Sequence, residues 1–169
     1  ALLINAVGPE AAARAAAEAG APFVHFSTDY VFAGDKAAPY VETDATGPTG
    51  AYGRSKLAGE QAVLAANPRA IVLRTAWVFD VSGANFVRTM LRLAKTRDEI
   101  GVVADQHGNP TFADDLADAA LTIAASPAHY GVYHCAGAGE TTWAGLAEEV
   151  FAQSRARGGP TAAVRAIST

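Results

Sequence analysis

The chain has 169 residues, 50% of them apolar and 18% charged, with a formal net charge of −4. That length supports a real core, and the composition is that of a globular domain rather than a disordered or fibrous one. No Lys/Arg stripe is available to neutralise phosphates, which excludes a nucleic-acid surface. No run approaches the roughly 18 apolar residues of a membrane span, and residues 1–9 lack the basic region of a secretory signal.

Helical and strand patterns alternate along the chain. Pro9 opens a helix over residues 10–19, with Gly20 as its stop. Residues 23–27 are β-branched and aromatic, the mark of a strand. A long loop over residues 28–50 follows, holding Gly34, Pro39, Gly47 and Pro48. Loops of that length are functional or disordered, and the aromatic residues Tyr30, Phe32 and Tyr40 favour an ordered, functional one. A helix over 51–66, a strand over 70–76, a helix over 85–95 and a strand over 100–104 come next. After a loop at 105–110 the pattern predicts a helix over 113–125, a strand over 131–136, a helix over 142–155 and a final strand over 162–167. This alternation predicts an α/β fold with a largely parallel sheet covered by helices. No linker or repeat divides it, so residues 1–169 read as one domain. The single cysteine, Cys135, lies in an apolar run and excludes an internal disulfide, as expected in a reducing cytoplasm.

The sharpest chemical feature is Tyr52-Gly53-Arg54-Ser55-Lys56. Residues four apart share a helix face, so a phenol and an ammonium are held side by side. A nearby cation favours the phenolate, which makes this pair a candidate acid/base for a substrate oxygen. The strand at 23–27 runs into Ser27-Thr28-Asp29-Tyr30. Ligands of parallel α/β sheets bind beyond the carboxyl ends of strands, so the Thr28 hydroxyl is placed to polarise a carbonyl. Ser, Thr and Asp also make ordinary turns, and that alternative stays open on this segment alone. Arg74-Thr75-Ala76-Trp77 closes another strand, where Trp77 either lines a pocket or packs in a core. Asp114, Asp115 and Asp118 begin a helix and suit its dipole. The histidines His25, His107, His129 and His134 show no ligand spacing, and no metal site is expected.

Together these segments resemble the dTDP-4-dehydrorhamnose reductases, a family of the extended short-chain dehydrogenase/reductases. The resemblance is carried by Phe26-Ser27-Thr28-Asp29-Tyr30-Val31-Phe32-Ala33-Gly34 and by Pro39-Tyr40-Val41-Glu42-Thr43-Asp44. It continues through Tyr52 to Glu60, Leu73 to Phe79, Asp105-Gln106-His107-Gly108-Asn109-Pro110-Thr111 and Thr141-Thr142-Trp143. It implies a Rossmann-like, doubly wound sheet with part of a small substrate-binding region. It also implies reduction of the 4-ketone of dTDP-4-dehydro-L-rhamnose to dTDP-L-rhamnose with NADPH or NADH. In that reading Tyr52 donates the proton, Lys56 tunes it and binds the cofactor ribose, and Thr28 bonds the carbonyl oxygen. Asp29, Tyr30 and Trp77 contact the nucleotide sugar, Asn5 helps position the lysine, and the full-length protein forms a homodimer.

The family opens with a strand and a Gly-x-x-Gly-x-x-Gly loop that cradles the pyrophosphate at a helix N-terminus. No such spacing precedes Asn5, so the sequence reads as part of a longer protein and is expected to bind the dinucleotide poorly alone. Two rival readings share the features. A nucleotide-sugar epimerase or dehydratase of the same superfamily keeps Tyr52 and Lys56, and a regulatory homologue keeps the fold without the activity.

Overall fold

A computed structural model describes residues 1–125 and 129–169. In chain order, a π-helical turn at Leu3–Val7 runs into helix α1 (Gly8–Glu18), strand β1 (Phe23–Thr28) and a 3-10 turn (Asp29–Val31). Helix α2 (Ala51–Ala66) and strands β2 (Ala70–Thr75) and β3 (Val78–Phe79) follow. Then come α3 (Phe86–Leu93), β4 (Glu99–Val103), β5 (His107–Gly108), β6 (Thr111–Phe112) and α4 (Ala113–Ala125). The last elements are β7 (Gly131–His134), β8 (Thr141–Thr142), α5 (Trp143–Ala156) and β9 (Ala163–Ile167). They form two units, Ala1–Thr75 with Leu116–Cys135, and Ala76–Asp115 with Ala136–Thr169.

The first unit is built on a parallel sheet of order β1-β2-β7. Registers pair Thr28 with Thr75 and Arg74 with His134, so three strand ends finish at one edge. Strand β2 is central, and Ala70, Ile71, Val72 and Leu73 are buried. A strand covered on both faces needs such a continuous apolar run rather than alternation. On one side Val72 and Ala70 pack with Ala13 of α1 and Val63 of α2. On the other Ile71 and Leu73 pack with Ala120 of α4.

The buried face of α2 is made of Gly53, Ser55, Gly59, Glu60 and Val63. Small residues at one-turn spacing let another backbone come close. A Cβ at Gly59 would overlap the carbonyl of Asn5. Helical structure begins at the π-helical turn, well before the start at residue 10 expected from sequence. Pro9 lacks an N–H for the carbonyl of Asn5 four residues back, and the turn adopts wider bonding, with Gly8 N–H donating to Leu3 O. Such π-turns inside helices cluster at functional sites.

In the second unit, parallel β4 and β9 are covered by α5, and α3 packs on α5. Met90, Ile100, Val102, Ala147 and Phe151 form its core. The side chains of Asn85 and Thr142 cap α3 and α5, accepting from Arg88 N–H and Gly145 N–H. Two short pairs complete it, β3 with β6 in parallel and β5 with β8 antiparallel. The sequence pattern predicts a loop at His107 and Gly108. They form strand β5 because Thr141 and Thr142, far along the chain, supply the ladder partner. Among the described residues no helix is long and apolar enough to cross a membrane.

Candidate active site

Tyr52 and Lys56 lie one turn apart on α2, as their spacing predicts. Tyr52 is exposed, while Lys56 leans over β1 and its Nζ donates to the carbonyl oxygen of Phe26 at 2.6 Å. Partial burial pushes the Lys56 ammonium below its ordinary pKa, against the opposing pull of Glu60. Among the described residues Phe26 O is its one acceptor, which leaves two of its three N–H groups for other partners.

Strand β1 ends one residue later than expected, at Thr28, which is buried. Its Oγ1 accepts from Tyr30 N–H at 3.2 Å and donates to Asp29 Oδ1 at 2.9 Å. Burial pushes the Asp29 carboxyl above its usual pKa, with the Thr28 hydrogen bond opposing. Thr28 therefore holds its proton on Asp29 and must turn it towards any incoming carbonyl. Tyr30 is exposed and meets Tyr52 edge to face, with ring centroids 5.9 Å apart. The closeness depends on Gly53. A Cβ there would sit 2.9 Å from Pro48 Cβ and 3.0 Å from the carbonyl carbon of Tyr30. The first unit thus brings together Thr28, Asp29, Tyr30, Tyr52 and Lys56.

Asn5 also joins them. Its Nδ2 donates to Ser55 Oγ at 2.9 Å, and Ser55 Oγ donates to the carbonyl of Tyr52 at 2.8 Å. Trp77 belongs to the second unit, where its ring stacks on Trp143 at 3.5 Å and covers Gly108. Its φ of 46° is the one positive value among the described non-glycine residues. Bulky residues rarely hold that conformation, and where they do the strain is a pointer to function.

A buried ion pair that the sequence motifs do not predict lies behind these residues. Arg74 donates to both carboxylate oxygens of Glu60, at 2.9 and 2.7 Å, and both side chains are buried. The signal was available, since Arg74 interrupts an otherwise apolar strand and a buried charge needs a partner. His25 lies on the same strand as Thr28. Burial, followed by the charge of Lys56, lowers its pKa to about 4, and its Nε2 has no hydrogen-bond partner among the described residues. No metal-binding cluster of His, Cys, Asp or Glu occurs among the described residues.

The family described as the RmlD substrate binding domain matches residues 1–169. The chain belongs to this family. As a member of the RmlD substrate binding domain family, it is similar to "dTDP-4-dehydrorhamnose reductase" of Sinorhizobium fredii. The two are 52% identical over 157 residues, covering 89% of this chain and 53% of the relative. A Streptomyces antibioticus protein, "Probable dTDP-4,6-dihydroxy-2-methyloxan-3-one 4-ketoreductase", is 48% identical over 89% of this chain and 52% of its own length. The crystal structure of dTDP-4-dehydrorhamnose reductase from Bacillus anthracis in complex with NADP superposes with a TM-score of 0.91 at 39% identity. That match covers 98% of this chain and 57% of the other. The chain spans about half the length of the curated relatives it matches. Its parallel β1-β2-β7 sheet is the part of a Rossmann-like α/β fold that this RmlD chain contains.

Proposed function

We propose that this chain carries the proton-transfer part of an NAD(P)H-dependent reductase of a dTDP-4-ketosugar, acting on dTDP-4-dehydro-L-rhamnose to give dTDP-L-rhamnose. The observation that carries the reading is the exposed Tyr52 one turn from Lys56, meeting edge to face the Tyr30 ring that lies two residues beyond Thr28 at the carboxyl end of β1. In this reading Tyr52 Oη gives a proton to the substrate's carbonyl oxygen as that oxygen gains negative charge. Thr28 turns its hydroxyl from Asp29 to the same oxygen. A donor aimed at developing charge stabilises the transition state more than the ground state. Asp29, Tyr30 and Trp77 bind the nucleotide sugar.

Tyr52 and Lys56 also fit a nicotinamide cofactor's ribose, because the two spare N–H groups of Lys56 suit a pair of hydroxyl acceptors. When bound, NADPH or NADH supplies the hydride, and the hydride and the Tyr52 proton together convert the ketone to a secondary alcohol. Asn5 and Ser55 hold the first turn of α2, and so Tyr52, against the π-helical turn. The full-length protein is a homodimer in the cytoplasm, and size-exclusion chromatography with light scattering tests the dimer.

The Streptomyces relative supports a second reading, a related dTDP-4-ketosugar as substrate. Incubation of the full-length protein with NADPH and each sugar, followed by mass spectrometry of the product, separates the two. The expected result is a gain of two hydrogens by dTDP-4-dehydro-L-rhamnose. In Tyr52→Phe, turnover is expected to fall by about 10²–10⁴ with sugar binding retained. A Phe variant near the wild-type rate refutes the role.

A further inference from the structure

The loop over residues 29–50 leaves the sheet at Thr28 and returns at α2, so both ends touch the proposed site. Much of it is rigid by itself. Tyr40 Oη accepts N–H groups from Gly34, Asp35 and Lys36, and its ring stacks on Phe32 at 4.3 Å. Asp44 accepts from Val41 N–H and pairs with Lys36, and Gly47 N–H donates to Val31 O. These bonds make a lobe but do not attach it to the sheet.

Glu42 supplies the attachment. Its carboxylate Oε1 accepts the backbone N–H of His134, the last residue of β7, at 2.8 Å. Its carbonyl oxygen faces Arg74 Nη1 at 3.4 Å, at the end of β2. Arg74 is held by both oxygens of Glu60, and its guanidinium lies 5.0 Å from the Phe32 ring centre. One residue therefore ties the lobe to two strand ends. The N–H of His134 also lowers the Glu42 pKa, the behaviour of a carboxylate whose charged form is bonded.

We propose that Glu42 is a positioning residue, a latch that holds the loop on β7 and β2 and thereby sets Tyr30 against Tyr52. The proposal rests on the reading of those residues as the reductase site. The latch acts through Phe32, which stacks on Tyr40 within the lobe, packs against Arg74 and lies two residues from Tyr30. Releasing Glu42 leaves the lobe on the sheet through the packing of Phe32 against Arg74 and His134 alone, and Tyr30 is held less firmly against Gly53.

The test compares full-length wild type, Glu42→Ala and Glu42→Gln. Two readouts are taken, amide exchange at His134 and steady-state kinetics with the dTDP-ketosugar. Glu42→Ala is expected to lose protection at His134 and to raise KM for the sugar about tenfold, the equivalent of one hydrogen bond, with a smaller fall in kcat. Glu42→Gln keeps an acceptor oxygen and is expected to restore most of both. Unprotected His134 in the Ala variant with wild-type KM overturns the proposal, and so does equal impairment of Ala and Gln. Three proteins equally inert on the sugar overturn the functional reading, and the positioning role with it, while exchange at His134 still reports the latch.

Discussion

Gly53→Ala sets two effects against each other. Alanine is favoured over glycine by at most about 1 kcal/mol at Gly53, in the first turn of α2, so local propensity alone predicts a more stable protein. Packing around Gly53 opposes that gain. A Cβ at Gly53 would lie 2.9 Å from Pro48 Cβ and 3.0 Å from the carbonyl carbon of Tyr30, inside the roughly 3.5–4.0 Å at which carbon atoms pack. Neither neighbour is the free end of a flexible side chain, so the loop must withdraw by about 1 Å. Overpacking of this kind costs about 1–3 kcal/mol, which cancels or exceeds the gain in propensity. Activity is the more sensitive readout, because a misplacement of about 1 Å costs on the order of 10²-fold. The assay is kcat/KM with the dTDP-ketosugar, beside urea unfolding of the same preparation. Stability near wild type with kcat/KM reduced by about two orders of magnitude is expected. A variant stabilised by about 1 kcal/mol with full activity refutes the argument that Tyr30 is set by its contact with α2.

Three further outcomes follow from the ionisable groups Lys56, Arg74 and His25. Lys56→Met removes the bond to Phe26 O and the proposed ribose donors, so cofactor affinity falls and the pH–rate profile changes; an unchanged profile and affinity count against Lys56. Arg74→Met strands the Glu60 carboxylate and is expected to cost about 3–5 kcal/mol in urea unfolding, most of it recovered by adding Glu60→Leu; additive losses in the double variant contradict the pairing. His25 carries a sign that can be worked out. Its folded pKa of about 4 lies below the ordinary 6.5, so below pH 6.5 the unfolded chain binds the proton first and protonation favours unfolding. Stability is full above pH 6.5 and falls as the pH drops towards 4, by about 2 kcal/mol between pH 7 and 5. In His25→Phe that part of the slope is absent, and an equal slope in both proteins shows that His25 is not buried in its neutral form.

Much of this protein was decided by local sequence. Helix α2 follows from its helix-forming residues between Gly50 and Asn67, and β2 from an apolar run too short for a helix. The Tyr52–Lys56 pair follows from the helical repeat, and Thr28 from its place at the end of a parallel strand. Short-range rules suffice there because each property depends on residues within a few positions. The tertiary structure decided the rest. Nothing near Gly53 in the chain announces that Tyr30 rests against it, and nothing near Glu42 points to His134, its partner 92 residues away. The early helical turn at Leu3–Val7 needed the glycine of another helix against the carbonyl of Asn5. Strand β5 needed a ladder partner in β8. A backbone close approach or a bond between distant residues exists only once the chain is folded, and it leaves no period in the sequence.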